Sequence, residues 1–212
     1  VSLSGDGGDE LFCGYDRYSV AFRTWRMIRH LPFSLRRTIA NRLRHVPISP
    51  IDSLISFLHY NERPLYLSDR IPKFFELFAE KDKIAFYHHF ISHWKHPIDI
   101  VIGANEPRSL YRRQEEWPSL KDFREQMMYL DTKTYLPDDI LAKVDRASMA
   151  VSLETRLPLL DHRVVEMAWR IPLNLKHRKK EGKWLLRQLV YKYVPRTLMD
   201  RPKMGFEVPL EH

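Results

Sequence analysis

The chain has 212 residues, 44% of them hydrophobic and 12% aromatic, which is enough apolar material for one packed domain or a large fragment of one. No run approaches the ~18 consecutive apolar residues of a membrane span. The opening Val1-Ser2-Leu3-Ser4-Gly5 lacks a signal peptide's basic start and apolar stretch, and a single cysteine, Cys13, excludes an internal disulfide, so the expected setting is cytoplasmic, with no membrane partner. A net charge of +8 points to polyanions as partners, including nucleic acid, nucleotides and pyrophosphate, without choosing among them.

In chain order, Val1–Leu3 reads as a short strand. From Asp9 to Arg29 no proline occurs, and Leu11, Tyr15, Tyr18, Phe22 and Trp25 recur at helical spacing before Pro32, which predicts one helix, weakened locally at Gly14. Helical periodicity continues over residues 33–45, 51–60, 68–80, 82–94, 119–133, 137–151, 161–170 and 181–194. Most of the fourteen prolines fall between these runs, where a missing N–H does least harm. Beyond the first residues only Ile98–Ile102 reads as strand. The chain is therefore expected to be mainly α, with at most one or two short strands. There is no internal repeat and no low-complexity tract. The abrupt start and the final Leu210-Glu211-His212 look like artificial boundaries, so residues 1–209 are taken as a piece of a larger domain and 210–212 as a tag remnant.

Ser4-Gly5-Asp6-Gly7-Gly8-Asp9-Glu10 carries most of the chemistry. It sets three glycines and three carboxylates between the strand and the long predicted helix. Glycines permit positive φ and close approach of backbone N–H groups to an anion, and a helix start adds partial positive charge. Clustered carboxylates repel a bare phosphate, but a divalent cation that takes both carboxylate and phosphate oxygens reconciles the two. The competing reading is plain architecture, with Asp9 as a cap, Glu10 complementing the helix dipole and the glycines forming a turn. Neither the GxxxxGK[ST] phosphate loop nor the GxGxxG dinucleotide loop is present.

The stretch Ser4 to Tyr15 resembles a signature of the asparagine synthetase (glutamine-hydrolysing) family. Four further stretches resemble that family in the same order: Leu136-Pro137-Asp138-Asp139 through Ala150, Leu153 through Asp161, Gly182-Lys183-Trp184-Leu185-Leu186-Arg187 and Arg201-Pro202-Lys203-Met204-Gly205-Phe206. The resemblance implies the helical C-terminal part of an α/β synthetase domain of the adenine-nucleotide alpha-hydrolase (ATP pyrophosphatase) type. It places Ser4 and Gly5 at backbone contacts to ATP, Asp9 as a ligand of Mg²⁺-pyrophosphate, and Lys183 at the lysine that stabilises the adenylation transition state. Asp6 takes the position of the base, where the asparagine-forming archetype carries a glutamate one methylene longer; the acceptor acid is left open accordingly. Glu10, and Asp138, Asp139 and Lys143 at the start of the predicted helix, are further candidates for the same cleft. Asp145, Arg146, Glu154 and Arg156, set among apolar residues, are expected to form a structural ion-pair network.

The implied reaction is adenylation of a small carboxylate by ATP, release of pyrophosphate, and displacement of AMP by ammonia released from glutamine. The Ser-Gly-Gly-x-Asp-Ser loop that grips pyrophosphate in this family, and an N-terminal cysteine nucleophile, are both absent from the sequence; a glutaminase domain is expected upstream in the same chain, and the fragment alone is expected to be inactive. A homodimer is compatible with the resemblance. Two rival readings remain. A helical nucleic-acid-binding domain would use Arg36, Arg37, Arg42, Arg44 and Lys176-His177-Arg178-Lys179-Lys180. A helical metal site would use His89 and His93, four apart, with His88 and His96 nearby.

Overall fold

The computed structural model describes residues 1–43, 76–92, 94, 100, 103, 105, 108–179 and 181–200. The expected helix 51–60, most of 68–80, the expected strand Ile98–Ile102 apart from Ile100, and residues 210–212 lie outside the described residues. The described chain is mainly helical, with two short strands, β1 (Ser2–Leu3) and β2 (Thr155–Arg156). It divides into two compact units, Val1–Tyr15 with Ile140–His212, and Asp16–Asp139.

Among the described residues of the second unit the α-helices are α2 (Asp16–Ile28), α3 (Phe33–Leu43), α4 (Lys83–Ile91) and α5 (Phe123–Lys133). Asp82 and Asp122 cap α4 and α5, accepting from the N–H groups of Ile84 and Ala85 and of Arg124, which satisfies donors that a helix start leaves open. α2 packs against α4 and α5. Tyr18, Ala21 and Ile28 from α2, Ile84, Phe86 and Tyr87 from α4, and Phe123, Met127, Met128 and Leu130 from α5 are buried. Each such side chain removed from water contributes about 1.5–3 kcal/mol. Trp25 tilts against Phe86 at 5.5 Å, and Tyr87 meets Phe123 edge-on at 6.4 Å.

The core of this unit also holds a charge. Asp131 is fully buried. Its Oδ2 accepts from Arg17 Nη2 at 2.7 Å, Tyr18 Oη at 2.7 Å and Tyr87 Oη at 2.8 Å. Burial, and then the Asp131 carboxylate, push both phenols well above their ordinary 10.0.

Two residues of the basic-surface reading are structural. Arg36 is buried, donates to the Glu80 carbonyl at 2.8 Å and lies 5.3 Å from the Trp25 ring centroid. Lys176 is buried with its ammonium 5.0 Å from the Trp169 ring centroid. Arg44 and Lys180 lie outside the described residues, and the nucleic-acid reading is not supported. The metal reading fares no better: His89 Nδ1 stands 2.6 Å from Glu80 Oε1 and Nε2 3.6 Å from Glu76 Oε2, while His93 and His96 lie outside the described residues.

The first unit is made of short pieces. β1 pairs with β2 in parallel, Ser2 opposite Thr155 and Leu3 opposite Arg156, bringing together segments 153 residues apart. Its α-helices among the described residues are α1 (Gly8–Leu11), α6 (Ala142–Met149), α7 (His162–Arg170), α8 (Leu173–Lys176), α9 (Trp184–Val190) and α10 (Arg196–Met199). Its core cluster joins Leu11, Phe12 and Ala168 to Leu160, Val165, Trp169, Ile171 and Leu186.

Three expectations change here. The helix expected over Asp9–Arg29 is two helices, because the chain leaves the helical path at Cys13, whose φ is 55°. The Gly14 N–H then reaches back to the Asp9 carbonyl at 2.8 Å, the six-to-one bond of a Schellman ending with Cys13 in the left-handed position. The helix expected over 137–151 opens with a π-helical turn, Leu136–Leu141, before α6; Pro137 removes a donor from the α-helical ladder there. Finally, Glu154 and Arg156 do pair at 2.8 Å, but both are more than half exposed, and Asp145 and Arg146 are exposed on α6, so no buried ion network forms.

Candidate nucleotide site

The first unit interlocks two segments, the loop Ser4–Tyr15 and the turn that leads into α9. Gly7 enters α1 with φ 85°, where a side chain would meet Leu160. Gly8 packs toward Leu159 and the Lys183 ammonium. After α1 ends, the Phe12 carbonyl accepts the Lys183 N–H at 3.0 Å in place of the next helical donor. On the other side, Arg178 and Glu181 exchange two backbone hydrogen bonds, at 2.9 and 2.8 Å, closing a tight turn with Lys179 at φ 49°. Gly182 follows, pressed so closely on the Cys13 carbonyl and the Gly14 Cα that no side chain fits. Lys183 then turns at φ 54° into α9.

This clasp delivers the Lys183 ammonium to Asp9, with Nζ 2.7 Å from Oδ2 and both side chains about one-third exposed, 32% and 30%. The two groups lie 174 residues apart in sequence (183 − 9). In water a pair this exposed is worth at most about 1 kcal/mol, so its position matters more than its contribution to stability.

The remaining candidates are distributed as follows. Ser4 Oγ donates to Asp6 Oδ2 at 2.5 Å, so both sit on one turn of the loop, while the Ser4 N–H is given to the Arg156 carbonyl of β2. Gly5 faces open space on the side where a Cβ would stand. Glu10 is turned inward, 1% exposed, and accepts from Tyr15 Oη at 2.7 Å, which anchors the loop from beneath. Asp138 and Asp139 lie on the π-helical turn and belong to the second unit; Lys143 lies on α6 in the first, exposed.

The helix dipole expected behind this loop is reduced to one turn, since α1 has only four residues. What stands at the loop is side-chain charge: Asp6, Asp9 and Lys183. Among the described residues no three His, Cys, Asp or Glu side chains converge to hold a metal ion. Asp9 is a hard oxygen donor, and Mg²⁺ is commonly held by one or two carboxylates, with waters and substrate phosphates filling its shell. The donor set therefore fits Mg²⁺ arriving with a nucleotide rather than a metal caged by protein alone.

Sequence reading missed the residues that build the clasp: Phe12 through its carbonyl, Cys13 through its left-handed turn, and Gly14 and Gly182 through their lack of a side chain. A Cys-Gly pair inside an otherwise helical pattern, and a glycine just before a candidate lysine, are the available signals.

A profile of the family described as asparagine synthase matches residues 1–212. A protein of Mycobacterium bovis named "Putative asparagine synthetase [glutamine-hydrolyzing]" is 32% identical over 212 residues, covering all of this chain and 30% of that protein. "Asparagine synthetase [glutamine-hydrolyzing] 1" of Bacillus subtilis is 29% identical over 215 residues, again across the whole chain and 31% of the relative. No solved structure matches. The chain thus spans about 30% of the length of these relatives, and it belongs to the asparagine synthase family.

Proposed function

We propose that the protein containing this chain activates a small carboxylic acid, aspartate or a related acid, with ATP and converts it to an amide using ammonia from glutamine, releasing AMP and pyrophosphate. The observation that carries the reading is the 2.7 Å contact between Lys183 Nζ and Asp9 Oδ2, made by the two residues that the family resemblance assigns to the adenylation step, Asp9 to Mg²⁺-pyrophosphate and Lys183 to the transition state. Attack of the acid on the α-phosphate builds negative charge on the nonbridging oxygens and on the departing pyrophosphate. A cation held beside that charge lowers the barrier; Lys183 supplies one, and Mg²⁺, when bound, neutralises the pyrophosphate oxygens as a Lewis acid. Asp9 is the residue that would hold it, with the Ser4 carbonyl and the Gly5 N–H offering backbone to the nucleotide, since the Ser4 N–H is already given to Arg156. Gly5 has open space before it.

In the second half, the ammonia nitrogen attacks the acyl carbon, the bond from that carbon to the AMP oxygen breaks with its electron pair on AMP, and the nitrogen sheds a proton. Asp6 is our choice for the acceptor, with the Ser4 hydroxyl fixing one of its oxygens. We assign glutamine hydrolysis to a part of the protein outside these 212 residues, following the printed names of the relatives.

The test is product analysis with the full-length protein, Mg²⁺-ATP, glutamine and aspartate. Equal amounts of amide, AMP and pyrophosphate are expected, and a panel of other small acids identifies the acceptor if aspartate is not turned over. Formation of ADP and inorganic phosphate would overturn the adenylation reading.

A further inference from the structure

Gly14 lies against the site without belonging to any of the groups that would touch a ligand. It is buried, and its φ is not among the positive values of the chain, so an alanine is conformationally allowed. What excludes a side chain there is space. The three atoms nearest to a Cβ at this position are Asp9 Oδ1 and the Cε and Cγ of Lys183. Every one belongs to the proposed nucleotide site, and every one is a side-chain atom. Gly182 differs, since its Cβ would strike backbone at Cys13 and Gly14; Gly7 differs again, since its φ is positive and its Cβ would strike Leu160.

We propose that Gly14 is a positioning residue of this site: the side chain it lacks is the space through which the Lys183 stem crosses the loop to place its ammonium at Asp9. The proposal rests on the nucleotide reading above and deepens it. The Schellman bond from Gly14 N–H to the Asp9 carbonyl fixes the backbone of residues 9 and 14 relative to each other. One wall of the crossing is therefore the Gly14 Cα and another the Asp9 carboxylate. A methyl group on Gly14 cannot coexist with both side chains where they stand, yet both are flexible and partly exposed, so they yield while the backbone does not. Gly14→Ala should separate the ammonium from the carboxylate without removing either charge, and a displacement of about 1 Å in a catalytic group costs on the order of 100-fold in rate.

The experiment is a double-mutant cycle in the full-length protein with wild type, Gly14→Ala, Lys183→Ala and the double variant. It is read by ATP–pyrophosphate exchange and by mass-spectrometric labelling of Lys183 with a small amine-reactive reagent. Exchange in Gly14→Ala is expected to fall about 10- to 100-fold, while the double variant should lose clearly less than the two single losses combined, because the methyl no longer meets the lysine stem and groups that act as a unit are not additive. Labelling of Lys183 should rise in Gly14→Ala, as it should in Asp9→Asn.

Wild-type exchange and labelling in Gly14→Ala, alongside a slow Lys183→Ala, would overturn the positioning role and leave the nucleotide reading standing. An additive loss in the double variant would overturn it too, since Gly14 would then act elsewhere. Undiminished exchange in Lys183→Ala overturns the nucleotide reading itself. If Gly14→Ala fails to fold, recovery of folding in the double variant supports the clash with the lysine stem, and failure of both overturns it.

Discussion

The two units of the chain hold themselves together by different means. In Asp16–Asp139, helices of 9 to 13 residues, two of them capped by aspartate, stack aromatic and aliphatic side chains around the buried Asp131 carboxylate. In the unit formed by Val1–Tyr15 and Ile140–His212, the described α-helices carry 4 to 9 residues. Most of the definition there comes from backbone contacts between remote loops, a two-residue parallel strand pair and, among the described residues, five left-handed ones, Gly7, Cys13, Ser152, Lys179 and Lys183. Large apolar side chains such as Leu3 and Val151, both 74% exposed, remain on its surface. Regular helices make stability cheap but present side chains only at fixed helical intervals. Irregular turns let residues 9 and 183 meet, and the geometry then depends on a few positions that tolerate no side chain.

The largest expected effect on stability lies in the helical unit. Asp131→Ala leaves the Arg17 guanidinium and two phenols without their shared acceptor, and breaking a buried pair of this kind costs about 3–5 kcal/mol. Urea unfolding measures it, and a loss below about 1 kcal/mol would mean that the polar cluster is not what organises this core. In the other unit, Gly182→Ala forces a methyl against the Cys13 carbonyl and should cost about 1–3 kcal/mol as an overpacking change. Hydrogen exchange should locate that damage: the Lys183 amide is expected to exchange faster while the amides of α4 and α5 keep their protection. Equal loss of protection in both units would contradict the difference between them.

The alkaline limb sharpens it further. Folded Tyr18 and Tyr87 have raised pKa values, through burial first and the Asp131 charge second. Their neutral forms therefore contribute stability that is fully present below pH 10 and is lost as the pH rises above it, at up to about 1.4 kcal/mol per pH unit for each phenol. Tyr18→Phe should flatten the alkaline limb of the stability curve, and an unchanged slope would show that this phenol does not carry it. The smallest effect is expected from Asp82→Ala, about 1 kcal/mol for the lost cap of α4, readable as a modest shift in the urea midpoint.

The same comparison explains what the sequence disclosed. Helical periodicity with flanking prolines reported the regular elements well: α2, α3, α4, α5 and α7 lie where the pattern of apolar residues puts them. β1 was legible as an apolar start before a glycine loop, whereas β2 is two residues whose pairing partner lies 153 positions away, and no local pattern encodes that. The break at Cys13 was masked because Leu11, Tyr15 and Tyr18 keep helical spacing across it. Asp131 looks like one more polar residue on a helix, since its three donors come from Arg17, Tyr18 and Tyr87 on other helices. Asp9 and Lys183 were singled out by motif, yet their contact depends on Phe12, Gly14 and Gly182, which carry no chemistry of their own.

The central claim is that Lys183 and Asp9 serve one magnesium-bound nucleotide, and the most direct test is ATP–pyrophosphate exchange by the full-length protein carrying Lys183→Ala or Asp9→Asn. The account predicts that Lys183→Ala raises the barrier by about 2–4 kcal/mol, roughly 30- to 1000-fold in rate, while stability changes by no more than about 1 kcal/mol, and that Asp9→Asn lowers the same exchange. Exchange at the wild-type rate in either variant would contradict it.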